Sequence, residues 1–260
     1  MPRIGVDELL IDSHTHLLRL KMPPEEALSE ARDAGVRSVV NVGTDVDDSR
    51  QGVGLAAEFP NVYTSVGIHP HNAGTYSAAD LETLMSLTEE PGVVAVGEVG
   101  LDYYRNEWPA DVQRALFEDA ICLANEVRLP LIIHSRRAFA ETMASLGNAR
   151  VPIILHCFEG GELEVQEARE RGYYIGLAGN ATYQNSETAR VLRLMGEDQI
   201  LVETDAPYLS PQPMRGKPNA PKNVVHTAGF VAERLGLDDE EVAKITARNA
   251  RNAFGLPAEA

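Results

Sequence analysis

The chain has 260 residues, 44% hydrophobic and 24% charged, a globular balance long enough to bury a sizeable core without staples. Its 39 acidic and 23 basic residues leave a net charge of −16, a field that repels polyanions at long range and argues against a general nucleic-acid binder. Only Cys122 and Cys157 are present, which excludes a disulfide framework, and no apolar run nears the roughly 18 residues of a membrane span. The opening Met1-Pro-Arg-Ile-Gly-Val-Asp-Glu has no apolar stretch behind a basic start. A soluble, cytoplasmic protein with no membrane contact and no obligate protein partner is expected.

The first strand is predicted at Leu9–Asp12. A helix over Pro24–Ala34 opens with proline and two glutamates and stops at Gly35, as helix-end chemistry requires. Strands follow at Ser38–Val42, Val62–Val66 and Val93–Gly97. The helix Pro109–Val127 takes Pro109 as a first-turn residue and repeats Val112, Leu116, Ala120, Leu123 and Val127 along one face. Strands are then predicted at Leu131–His134, Pro152–His156, Tyr173–Gly176 and Ile200–Glu203. A Pro/Gly-rich loop spans Ala206–Asn223, of a length that is usually functional when ordered. Eight short β-branched strands alternating with helices predict an α/β fold, a (β/α)8 TIM barrel, as one domain over residues 1–260. An open doubly wound sheet would place a glycine-rich phosphate loop after the first strand, where this chain has Asp12-Ser-His-Thr-His.

On that map polar residues gather at strand ends. His14 and His16 follow the first strand, Glu98 ends the fourth, His134 the fifth and His156 the sixth, and Asp205 follows the eighth. In barrels the carboxyl ends of the strands carry the active site. In His14-Thr15-His16 an extended backbone points both imidazoles the same way. Six imidazole and carboxylate ligands exceed what one open catalytic ion needs and suit two divalent ions, with Glu98 the natural bridge. By ligand preference the set favours Zn2+ or Mn2+.

The segments Asp12-Ser-His-Thr-His, Gly67-Ile-His-Pro-His, Gly97-Glu-Val-Gly-Leu-Asp-Tyr, Ile133-His-Ser-Arg, Leu155-His-Cys-Phe and Glu203-Thr-Asp-Ala-Pro-Tyr-Leu, in this order, resemble the TatD family of metal-dependent deoxyribonucleases. Arg215-Gly-Lys-Pro-Asn and Asn249-Ala-Arg-Asn-Ala-Phe-Gly continue the likeness over nearly the whole chain. The resemblance implies an amidohydrolase-like barrel, two divalent ions with Mg2+ supporting activity, and hydrolysis of DNA phosphodiester bonds. It sets the metal positions on His14, His16, Glu98, His134, His156 and Asp205. Two residues depart from the pattern: Arg137, where many relatives have aspartate, and Glu159, where a small hydroxyl residue often stands. Both bear on substrate preference rather than on metal binding.

The expected reaction is a two-metal hydrolysis in which Asp205 holds the attacking water and takes its proton, and Glu98 shares in the metal chemistry. His69, at the third strand end and outside the ligand set, is expected to contact the phosphate or the leaving oxygen. Arg136, Arg215 and Lys217 are the candidates for phosphate contacts, and Tyr103 and Tyr208 for stacking on a base. The expected partner is DNA, short or single-stranded. The competing reading is hydrolysis of a small amide, ester or lactone; three cations, Arg215, Lys217 and Lys222, in a loop with no acid after Asp205 favour phosphate.

Overall fold

Strands and helices alternate, with two helices in succession at the end, in a computed structural model that describes residues 10–258. In chain order they are β1 (Leu10–Thr15), α1 (Pro24–Asp33), β2 (Val36–Val42), α2 (Val46–Glu58), β3 (Val62–Val66), α3 (Ala78–Leu87), β4 (Val93–Asp102), α4 (Ala110–Val127) and β5 (Leu131–Arg136). They continue with α5 (Phe139–Ser145), β6 (Ile153–Leu155), α6 (Glu162–Glu170), β7 (Tyr174–Leu177), α7 (Glu187–Val191), β8 (Ile200–Val202), α8 (Val224–Leu235) and α9 (Asp239–Phe254). The strands follow one another in sequence order in one eight-stranded sheet, the topology of a (β/α)8 barrel.

The predicted strand at Leu9 begins outside the described residues, and several predicted strand ends are corrected: β5 runs on to Arg136, so His134 lies inside it, while β6 stops at Leu155 and β8 at Val202, so His156 and Glu203 follow their strands. β1 runs on to Thr15, so His14 lies inside it rather than after it. β4 runs to Asp102, so Glu98 sits within the strand rather than at its end. Pro109 caps α4 from outside instead of occupying its first turn. The Ala206–Asn223 loop holds two short 3₁₀ turns, Gln212–Met214 and Pro221–Asn223.

The chain divides into two compact units, one joining the segment up to Val40 with Cys157 onward, the other Asn41–His156. In the second unit β3, β4, β5 and β6 pair in parallel. Leu131, Ile132 and Ile133 of β5 are wholly buried, as in a parallel sheet covered on both faces. Helix α4 packs on β4 through a face that includes Leu116, Phe117, Ala120 and Ile121. Burying a side chain such as Phe117 contributes about 1.5–3 kcal/mol. In the first unit β7 and β8 pair in parallel, and α8 and α9 pack on β1 and β8. α9 starts at a reciprocal cap between Asp238 and Glu241 and ends at Gly255, in the left-handed region at φ 65°.

Candidate metal centre

In the first unit the end of β1 is stitched to the chain after β8. Asp205 N donates to the His14 carbonyl at 2.9 Å and His16 N to the Ala206 carbonyl at 2.8 Å, so the strand pairing continues past β8. His14 and His16 therefore keep the two-residue alternation of a strand and project together. Their Nε2 atoms stand 3.3 Å apart, with Asp205 Oδ1 3.8 Å from the first and 3.5 Å from the second. The two imidazoles are buried and the Asp205 carboxylate nearly so. Asp205 reaches this position with φ at 53°, a region costly for a residue with a β-carbon and typical of functional sites.

Behind this triad lies a carboxylate that sequence reasoning passed over. Asp12, wholly buried, accepts from Thr204 Oγ1 at 2.6 Å, Thr204 N at 2.8 Å and His14 N at 3.4 Å. Burial pushes its carboxyl well above the usual range, against the pull of these bonds. One side chain thus ties the strand bearing His14 to the residue before Asp205. Asn219 anchors the following loop, donating to the Thr204 carbonyl at 2.9 Å and the Tyr208 carbonyl at 2.5 Å.

The second unit presents a chain of alternating imidazoles and carboxylates. His71 Nε2 and His134 Nε2 meet Asp102 Oδ2 at 2.8 and 3.2 Å, and His134 Nδ1 meets Glu98 Oε1 at 2.7 Å. His156 Nε2 and His69 Nε2 lie 3.7 and 3.6 Å from the same Glu98 oxygen. Burial works to raise the Asp102 carboxyl, but its bonds from His134, the Arg105 backbone and His71 outweigh it and hold the group well below the usual carboxylate range. For His134 burial is likewise overridden, by Asp102 and Glu98, and its affinity for protons rises. His69 goes the other way: burial lowers it to about 4, so it is neutral at pH 7. Its Nδ1 accepts from His71 N at 3.1 Å, which leaves the proton on Nε2.

These donor sets fit divalent ions. His14, His16 and Asp205 offer ligand atoms that all lie within 4.8 Å of one another, and so do His69, Glu98 and His134. Imidazole nitrogens facing each other beside a carboxylate make a borderline-hard donor set suited to zinc or manganese. Proximity alone groups His69 with the second set. With Nδ1 engaged by the His71 backbone, Nε2 is the ring atom that His69 presents toward Glu98. Asp102 was missed as His134's partner, although it lies in the same motif as Glu98 at an even strand spacing.

The expected substrate contacts divide. Arg136 lies with its Cζ 4.2 Å from the centroid of Tyr104, an exposed ring, whereas the neighbouring Tyr103 is half-buried with its hydroxyl turned inward. Tyr208 is 48% exposed, with its ring centroid 6.0 Å from that of His16. Arg215 lies over Tyr183, 4.1 Å from its centroid, in a groove of about 670 Å³ that Glu159, Asn180 and Gln212 also line. Glu159 accepts from Asn180 Nδ2 at 3.1 Å. Lys217 is exposed, but Lys222 is paired with Glu30 at 2.8 Å and so is no ready phosphate contact.

A family model described as TatD related DNase matches residues 11–255. A metal-dependent hydrolase of Bacillus subtilis, YabD, itself called uncharacterized, is 34% identical over 95% of this chain and 100% of its own length. The 3′-5′ ssDNA/RNA exonuclease TatD of Citrobacter rodentium is 34% identical over 89% of this chain and 92% of its own. The crystal structure of YjjV, a TatD homolog from Escherichia coli, superposes with a TM-score of 0.87 at 28% identity, covering 97% of this chain and all of that one.

Proposed function

This chain is a metal-dependent hydrolase of the TatD family, and from that premise we propose that it cleaves phosphodiester bonds in single-stranded nucleic acid, DNA foremost. The convergence of His14, His16 and Asp205 carries the reading, since two buried imidazoles and a largely buried carboxylate so placed have little structural purpose without a cation. The 3′-5′ ssDNA/RNA exonuclease activity named for relatives about a third identical supports the substrate class and extends it to RNA.

We assign one divalent ion to His14, His16 and Asp205 and a second to Glu98, His134 and His156. Bound there, divalent ions supply Lewis acidity toward a phosphate oxygen and an attacking water. Asp205 accepts the proton of that water as its oxygen bonds to phosphorus and the bond to the leaving ester oxygen breaks. His69, neutral and protonated on Nε2, donates to a phosphate oxygen and offsets charge developing there. Asp102 holds His134 by its Nε2 proton, which leaves Nδ1 as the ligand atom. Arg136, Arg215 and Lys217 hold phosphates of the strand, and Tyr208 lies beside His16 where a terminal base can rest on it.

The test is to strip the protein of metal by chelation, then assay labelled single-stranded DNA and RNA, and a panel of amides, esters and lactones, with Mg2+, Mn2+ or Zn2+ restored. Cleavage of DNA that returns only with metal is the expected result. Turnover confined to the small substrates would replace the nuclease reading with the competing one.

A further inference from the structure

In a chain with a net charge of −16, two guanidinium groups share one aromatic ring. Arg136 Cζ lies 4.2 Å and Arg137 Cζ 4.8 Å from the centroid of Tyr104, which is 52% exposed. The local chain builds this arrangement. Asp102 Oδ1 accepts from the backbone N–H of Tyr104 and of Arg105, each at 2.9 Å, and so pins Tyr104 where β4 ends. Asp102 is also the register partner of Arg136 at the end of β5. Arg137 follows in the left-handed region at φ 52°, and in that turn its guanidinium lies over the same ring.

Neither arginine forms an ion pair among the described residues. The ring attracts each cation, but two like charges held this close repel one another, and an anion between them reverses that repulsion. A phosphodiester has two non-bridging oxygens, and each guanidinium offers a planar fork of donors to them. Arg136 follows His134 by two residues on the same strand, so it lies on the same side about 6–7 Å further along. That offset points past the bond being cleaved to a neighbouring phosphate.

We propose that Arg136 and Arg137, laid on Tyr104, form a phosphate site for a nucleic-acid strand, holding a phosphodiester next to the scissile one. The site rests on the nuclease reading above, and it gives the enzyme a means of preferring a strand to a compound with a single phosphate.

The test compares a ten-nucleotide DNA strand with a small aryl phosphodiester, which has only one phosphate, on wild type, Arg137→Ala and Arg137→Lys. In Arg137→Ala the ratio of kcat/KM for the strand to that for the small diester falls about three- to tenfold, mainly through KM. The slope of log K against log salt for strand binding flattens by about 0.7. Arg137→Lys restores the slope, because charge suffices for it, but only part of the KM, because lysine has no flat fork to lay on the ring. An unchanged ratio, or an equal loss on both substrates, overturns the proposal. If the wild type cleaves neither DNA nor RNA, the nuclease reading fails, and anisotropy of the same strand in Ca2+ judges the phosphate site separately. Weaker binding by Arg137→Ala than by wild type then sustains the site, and equal binding removes it.

Discussion

His134 sits between two carboxylates, and the two have different tasks. Glu98 Oε1 faces its Nδ1 at 2.7 Å and Asp102 Oδ2 its Nε2 at 3.2 Å. A ring that binds a cation through one nitrogen is oriented by donating its other N–H, and a buried carboxylate is a strong acceptor for it. Asp102 takes a second such bond from His71 at 2.8 Å and fixes the turn after β4 through its other oxygen. Asp102→Asn keeps the shape, yet it puts an amide N–H where an acceptor is needed. Metal affinity, measured by competition with a chromogenic chelator, should fall by about 10–100-fold. Unchanged affinity would show that His134 does not depend on Asp102 for its orientation. The role of this residue was hidden in the sequence only because the strand was taken to stop at Gly97; with Asp102 inside β4, its even spacing from Glu98 puts both on one face.

At the level of elements, hydrophobic pattern located all eight strands, and what it misjudged was their ends, because pairing with the neighbouring strand, not apolar character, decides where a strand stops. In β4 glycine has a cause in that pairing. Gly100 has φ at 136°, and a β-carbon there would collide with the His134 carbonyl of the adjacent strand. It marks close approach to the strand that bears His134. Gly176 in β7 is similar: a β-carbon would strike the Glu203 carboxylate, whose Oε1 accepts from Cys157 N at 2.7 Å. No one-dimensional pattern contains these contacts, since each joins residues far apart in the chain. The clustering of histidines near strand ends was legible because a β/α frame brings those ends to one face; Asp12 was not, because a lone aspartate before a motif has many meanings. Gly176→Ala should destabilise the protein by about 1–3 kcal/mol, the usual cost of overpacking a filled interior. The midpoint of urea unfolding reads this directly, and a midpoint equal to wild type would mean that Glu203 can give way freely.

On the proposed nuclease reading, the whole molecule poses an electrostatic problem, since an acidic protein would take up an acidic strand. With a net charge of −16, the long-range field slows encounter with nucleic acid and cannot recruit it. Recruitment then falls to bound metal ions and to a small number of fixed cations: Arg136 and Arg137 on Tyr104, Arg215 on Tyr183, and exposed Lys217. Lys222 is withdrawn from this set by its pairing with Glu30. If each of the four neutralises at most one phosphate and two to four engage a strand, few counterions are released. The slope of log K against log salt is roughly −0.7 per phosphate for single strands, so it should lie between about −1.4 and −2.8. Binding of a single strand in Ca2+ across a series of potassium chloride concentrations measures it. A slope steeper than about −4 would require a longer basic track than these four side chains supply. The absence of any affinity would remove the strand as substrate and return the metal site to small-molecule hydrolysis. Within the expected range, local contacts at fixed side chains prevail over an opposing overall charge, and affinity should be lost more readily by removing metal than by raising salt.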